Sequence, residues 1–410
     1  ESNRDITIFY PHDNFKTRSK TEQGEGSKYL KLLNNVLHKL HDVATERDRA
    51  GNRELHFDQY VSLLLLYFFS PSLTSLRAIQ RASELEKVQK ITGGKRVSLG
   101  SLSEAQGVFA PGLLRNILSD LAGQAAPLAR GKEAEALAGL TAVDGSLLPA
   151  LPRMAWALWQ DEQHRAAKLH LHFDVFRAIP VEATLTEGNG SERKELRSTL
   201  PKGRLYVLDR GDLGYEFFQE IIDAPASFIC RVKNNAAYRV IEERVISEQA
   251  AAAGVIEDVV VDKLGSNHHK NPLQQPVRIV KVRPPDVRDN GDPVVLVLVT
   301  DRLDLDADLV ALGYRFRWSV ELYFRWFKCI LGCRHLLLTS PDGVALQVYA
   351  ALIASLLIRR WIDCKPNKAT YEMLCHYFSG WASEAELLAF LERQADRLAQ
   401  QQAGTKTKTR

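Results

Sequence analysis

The sequence predicts an α/β protein whose strand-bearing centre is flanked by helical regions at both ends. Three observations predict it. Residues 28–135 place apolar side chains at helical spacing and are punctuated by Gly and Pro. Between Leu140 and Val232, strand-like and helix-like stretches alternate. From Asp306 onward the apolar spacing is helical again.

In the first region, residues 1–27 are polar and without period, and Leu30, Leu33, Leu37 and Leu40 then recur on a helical face. A second helix fits Phe57–Phe69, broken by Pro71 and Ser72. Thr74 or Ser75 caps a third, which runs to about Ile91 and ends at Gly93-Gly94. Ser101 or Ser103 opens a short helix, Pro111 sits in the first turn of the next, and Gly123 closes it.

In the centre, Leu140–Val143 reads as a buried strand ending at Asp144. Ala167–Val175 alternates, with Leu169, Leu171 and Phe173 on one side and Lys168, His170, His172 and Asp174 on the other. Ile179–Thr186 is a further strand, Glu192–Leu200 a helix, Arg204–Leu208 a strand ending at Asp209, Tyr215–Ile222 a helix and Ser227–Val232 a strand. Residues 235–307 are β-rich, with Val255–Val261, Val277–Val282 and Val294–Val299 as strands. One helix is expected from Asp306 through Cys329, with others at residues 342–361 and 384–398 and a disordered polar tail over the last eleven residues.

The 410 residues exceed one ordinary core and suggest two to four domains. With 45% hydrophobic and 25% charged residues, the composition is that of a soluble globular protein. A net charge of +4 argues only weakly for a nucleic-acid partner, because clustering rather than the total makes a binding face. The five cysteines are too few and too scattered for a disulfide framework, and no CxxC pair suggests zinc. The apolar runs Tyr60–Phe69 and Ala345–Ile358 are short for a bilayer and read as core helices, so no membrane is expected. A reducing, cytoplasmic setting is the expectation.

Asp144 and Asp209 stand at the ends of buried strands, and Glu321 lies on a late helix. Buried acids are costly unless offset, and a divalent cation offsets them well. Three carboxylates can hold two Mg²⁺ ions about 3.5–4 Å apart, the arrangement for in-line phosphodiester displacement. Equally, a strand-end Asp commonly caps the next turn. Tyr314, Arg317, Glu321 and Lys328 follow one another at intervals of 3, 4 and 7, one stripe of a helix, while Phe316, Val320, Phe324 and Phe327 form an apolar side. The stripe reads either as a solvated face with an i,i+4 ion pair or as a phosphate-contacting edge holding one metal ligand.

The pattern Tyr-x2-Arg-x3-Glu-x6-Lys, set in Trp318-Ser-Val-Glu-Leu-Tyr-Phe-Arg-Trp-Phe-Lys328, resembles the signature of DDE transposases of bacterial insertion sequences, in the IS-four family. Val143-Asp144-Gly145 and Leu208-Asp209-Arg210-Gly211 resemble that family's two Asp motifs, so the likeness spans about residues 140–360. It implies an RNase H-like catalytic domain interrupted by a β-rich insertion. The implied organisation is a helical DNA-binding region at 1–135, catalytic segments at 136–234 and 308–340, an insertion at 235–307, and a helical C-terminal region at 341–410 for dimerisation.

The resemblance further implies that Asp144, Asp209 and Glu321 ligate two Mg²⁺ ions, with Mn²⁺ able to substitute. Tyr314, Arg317 and Lys328 would hold phosphates, Arg231 and Lys233 would contact DNA, and Trp318 would stack on a flipped base in a hairpin route. The partners implied are double-stranded DNA, as transposon terminal inverted repeats and target, and a second copy of the chain in a cytoplasmic, nucleoid-associated complex. Water would cut at the transposon end and the freed 3′-hydroxyl would join target DNA. The alternative is an RNase H-like nuclease that cuts without joining. Lys168 and His172 are weaker site candidates, on a strand expected to neighbour Asp144. Arg77, Arg81, Lys87, Lys90, Lys95 and Arg96 cluster in residues 74–122, as in a helix-turn-helix or on the wet side of a small bundle.

Overall fold

The computed structural model describes residues 37, 40, 41, 54–161, 163–209, 214–265, 273–284, 288–289, 292–330, 336–362 and 364–406. Most of the first expected helix, Arg210 and Gly211 of the second Asp motif, and residues 407–410 lie outside these. The N-terminal part is helical: α1 Phe57–Phe69, α2 Leu76–Ala82, α3 Glu86–Thr92, α4 Leu99–Val108, α5 Pro111–Gly123 and the short α6 Lys132–Ala136. Ser75 caps α2 by accepting from the Ala78 N–H. The single helix expected up to Ile91 is broken in two. Ser83 is the reason: its hydroxyl donates back to the Gln80 carbonyl and accepts from the Val97 N–H, drawing the chain out of the ladder.

A nine-stranded sheet forms the centre, in the order β3-β2-β1-β4-β5-β11-β8-β7-β6. Its first members are β1 Leu140–Ala150, β2 Arg165–Asp174, β3 Ile179–Glu187, β4 Leu205–Leu208 and β5 Ser227–Val232, with α7 Glu192–Ser198 and α8 Glu216–Asp223 between them. The segment 235–307 supplies β6 Tyr238–Glu243, α9 Glu248–Ala252, β7 Val255–Leu264, β8 Val277–Val282, the two-residue strands β9 Arg288–Asp289 and β10 Asp292–Pro293, and β11 Leu296–Thr300. Its long strands continue the main sheet, because β11 pairs antiparallel with β5. β6, whose residues alternate poorly, went unseen in the sequence; it is a mostly exposed edge strand.

β1 does not end at Asp144. Its parallel pairing with β4 ends at Ala142–Val207, but its antiparallel pairing with β2 runs on to Ala150–Arg165. Beyond Ala142 the β4 side of the strand is therefore open. Asp144 and Asp209 each lie two residues past the paired Ala142 and Val207, on neighbouring parallel strands and on the same face. Such a crevice at the carboxyl ends of parallel strands is where α/β sheets place ligands.

Directly paired residues share a face, so the register sorts the sheet into two sides. The front carries Ala142, Asp144, Leu171, Val207, Asp209, Ile229 and Arg231. The back carries Val143, His172, Tyr206, Leu208, Phe228 and Cys230. Leu196 of α7 and Phe217, Phe218 and Ile221 of α8 pack on the back. The front is covered by α10 Ala307–Arg315, α11 Trp318–Ile330 and α12 Pro341–Ile362; α13 Lys368–Phe378 and α14 Glu384–Lys406 complete the chain. The helix over 400–406 replaces the irregular tail expected there.

α12 is long and apolar enough to cross a membrane by length and composition, but 83% of its most apolar window is buried inside the protein. The N-terminal helices share its core: Leu64, Leu118, Leu169 and Leu352 belong to one apolar cluster. Polar anchors join them, with Arg359 donating to the Ala126 carbonyl at 2.7 Å and Tyr371 to the Phe68 carbonyl at 2.7 Å.

The loop that launches α10 is fixed by a buried ion pair. Arg278 of β8 donates to both Asp258 oxygens of β7, at 2.7 and 2.6 Å, and also to the Leu305 carbonyl. Both side chains are 3% exposed. Removing one partner leaves a buried, uncompensated charge. Arg278→Ala is therefore expected to destabilise the fold by about 3–5 kcal/mol, read as a lowered urea midpoint; a shift below about 1 kcal/mol would contradict the pairing's role.

Candidate active site

The signature stretch is not one helix. α10 ends at Arg315 and α11 starts at Trp318, with Phe316 and Arg317 in tight turns between them. The Arg317 N–H bonds to Tyr314 and the Ser319 N–H to Phe316, both i→i+3 contacts that tighten the chain. The expected apolar side still forms, since Phe316, Val320, Phe324 and Phe327 are all buried. Gly313 allows the approach of α10 to the sheet: a Cβ there would stand 2.7 Å from the Ile229 side chain on β5. The helix is thus seated directly against the strand that carries Arg231.

The break lets two residues of the pattern reach one carboxylate. Tyr314 donates its hydroxyl to Asp209 Oδ1 at 3.1 Å. The Arg317 guanidinium lies 3.6 Å from Asp209 Oδ2 and donates to Glu321 Oε1 at 2.8 Å. It also sits 4.9 Å from the centre of the Trp318 ring, a cation–π contact on an indole that is 45% exposed. Burial is the largest influence on Arg317 and works against its charge, yet Asp209, Tyr314 and Glu321 hold its pKa above the ordinary value. Burial and then the Asp209 charge push the Tyr314 hydroxyl up to about 12.

Asp144 enters the same field from β1. Its Oδ1 accepts from the Gly145 N–H at 2.8 Å. Burial pushes its carboxyl up to about 6 against that hydrogen bond; Glu192 and Glu321 add to the rise and Arg317 opposes it. Arg231 is half-buried on the front face and its charge bears on Tyr314. Lys233 is exposed beyond the end of β5. Lys328 is half-buried in the last turn of α11, two turns past Glu321. The Nε groups of Arg231 and Arg317 are both buried with no hydrogen-bond partner.

The weaker sequence candidates fall on the other side of the sheet. Lys168 pairs across β1 with Leu147 and His172 with Val143, which puts both on the back face. His172 bonds to Thr199 at 3.2 Å, and burial, then the charges of Arg204 and His170, push its pKa down to about 4, so it is a neutral core group. Lys168 pairs with Glu192 at 2.8 Å. Glu192, whose carboxylate acts on Asp144, was missed by sequence reasoning. Its only signal was its place after Ser191, the cap of α7, and that spacing says nothing of β1.

The donor set suits a hard divalent cation, being carboxylate oxygens around one positive charge. As arranged, Asp209 and Glu321 are turned onto the Arg317 guanidinium. Among the described residues, no three His, Cys, Asp or Glu side chains stand close enough together to enclose an ion by themselves.

Comparison with known proteins bears on this geometry. The family described as "Transposase DDE domain" matches residues 136–357. The Sinorhizobium fredii protein named as transposase y4zB is 31% identical over 256 residues, 62% of this chain and 68% of that one. The Geobacillus stearothermophilus protein named as a transposase for insertion sequence element IS5377 is 24% identical over 218 residues, 53% of this chain and 55% of that one. A piggyBac transposase synaptic complex with hairpin DNA overlaps 89% of this chain and 78% of its own at 10% identity and a TM-score of 0.43, too loosely to inform the fold. The family match covers more than half of the sequence, including Asp144, Asp209 and Glu321, and the chain belongs to the DDE transposases.

Proposed function

We propose that this transposase is of the IS-four type, built on an RNase H-like core, and that it cuts DNA at transposon ends and joins the freed ends to target DNA. The observation that carries the reading is the cluster of Tyr314, Arg317, Glu321 and Asp209, with the Arg231 charge bearing on it. Asp144, Asp209 and Glu321 would hold two divalent ions, Mg²⁺ or Mn²⁺. Such ions activate the attacking oxygen and stabilise the leaving one.

The protein's own groups do the rest. Tyr314, Arg317 and Arg231 bind the phosphates beside the scissile bond, the two arginines through charge-assisted hydrogen bonds. Engaging phosphate draws the Arg317 guanidinium off Asp209 and Glu321 and leaves those carboxylates to the ions. Lys328 and Lys233 extend the positive track along the backbone. Trp318, exposed beside Arg317, offers a ring for an unstacked base. The exposed basic residues of α2, α3 and the turn after them provide a further DNA-facing surface. Joining two ends calls for a second copy of the chain; α12 is buried in its own fold, so of the contact expected from 341 onward α13 and α14 are left to make it.

Glu321→Gln is expected to abolish Mg²⁺-dependent cleavage while gel-shift binding to end DNA survives; persistent cleavage would remove Glu321 from the site. In the same assay, wild type that nicks but never joins 3′ ends would turn the reading to a nuclease. Lys328→Ala should weaken DNA binding and flatten the slope of log K against log salt by roughly one unit, and an unchanged slope would exclude a phosphate contact.

The Asp144 environment has a sign that stability can read. Its folded pKa, about 6, exceeds that of the unfolded chain, about 3.9. The folded protein thus keeps a proton that the unfolded chain releases, and stability falls as pH rises between those values, by about 1–3 kcal/mol. Asp144→Asn is expected to be more stable than wild type at pH 8 without added metal, and to show no gain at pH 4. Equal unfolding midpoints at pH 8 would refute it.

A further inference from the structure

We infer that the Lys168–Glu192 ion pair is a positioning clamp on the Gly145 peptide and, through that peptide, on Asp144. The inference rests on Asp144 serving as a metal ligand, as proposed above. Glu192 opens α7 just after its cap Ser191. Lys168 comes from β2, and its Nζ lies 2.8 Å from Glu192 Oε1 and 3.3 Å from the Gly190 carbonyl. One lysine therefore ties the start of α7 to the strand beside β1.

The pair lies directly against Gly145. A Cβ at that position would stand 2.7 Å from Glu192 Oε1 and 2.7 Å from Lys168 Cε. A side chain there would push both charged groups aside, so the bare glycine is what lets them rest on the strand. Contact is made on the back face, while Asp144 projects from the front. The peptide between them joins the two sides, because the Gly145 N–H donates to Asp144 Oδ1 at 2.8 Å. Whatever fixes the plane of that peptide fixes the direction of the N–H, and with it the carboxylate.

The exposure of the pair argues for this local role over a contribution to stability. The Lys168 side chain is 18% exposed and that of Glu192 49%, and ion pairs open to water add little to folding. Orienting a ligand from outside the coordination shell is a known use of such groups, and losing one typically weakens metal binding or activity by about 10–100-fold. Glu192 also brings a negative charge whose field reaches Asp144.

The test is titration of the full-length protein with Mn²⁺ alone, followed by calorimetry, on wild type, Lys168→Met, Glu192→Gln and the charge-swapped double variant Lys168→Glu/Glu192→Lys. Each single variant is expected to lose about tenfold in Mn²⁺ affinity, with its urea midpoint and its affinity for end DNA unchanged. The swap is expected to recover most of the loss. Single variants that bind Mn²⁺ as wild type does would overturn the clamp while leaving the two-ion reading intact. Wild type that binds no Mn²⁺ would overturn both. A Lys168→Met protein that loses DNA affinity while Glu192→Gln keeps it would make Lys168 a phosphate contact instead.

Discussion

One guanidinium organises the end of the sheet where Asp144 and Asp209 lie. Arg317 is 8% exposed and lies between Asp209 and Glu321, with the Trp318 ring against it. Without it, carboxylates from three different elements would face one another with no positive charge between them. With it, they are drawn toward a common point. The rest of the front face serves that placement. Gly313 lets α10 settle on β5, and Tyr323 and Trp326 of α11 both bond to Ser355 of the buried α12, at 3.2 and 2.9 Å. Further along the sheet, Arg278 and Asp258 fix the loop from which α10 departs.

Much of this was legible in the sequence because it rests on periodicity and on strand ends. The apolar run Leu205–Leu208 marks β4, and the acid after it could belong only to a strand terminus or a turn. The alternation over Ala167–Val175 marks β2, observed as Arg165–Asp174, and separates its two faces. What the sequence hid were features settled by pairing. Asp144 looked like the last residue of its strand, since the run of apolar residues stops there; β2 continues beside it and carries β1 on to Ala150. The break at Phe316-Arg317 was hidden for the opposite reason. The helical spacing is continuous through it, and only tertiary packing decides that the chain tightens there.

Glu192 shows where such reading runs out. Its relation to Asp144 passes through Lys168 on a different strand and through a glycine whose missing side chain is the telling feature. No window of sequence contains all four residues. Lys168 and His172 show the same limit. Their strand does neighbour β1, as expected, but the parity of the register turns both to the back face, where His172 is a buried neutral group and Lys168 meets Glu192.

The central position of α12 governs how the chain reaches this state. Its surface is covered on one side by helices that precede the sheet and on another by the sheet itself. A ribosome therefore releases α1 and α5 long before the element that completes their core. During that interval their apolar faces have no native partner, and contacts of this sequence separation form slowly. The N-terminal helices are thus committed to the catalytic fold from the outset, and a chain that ends before Ile362 has no means of closing it.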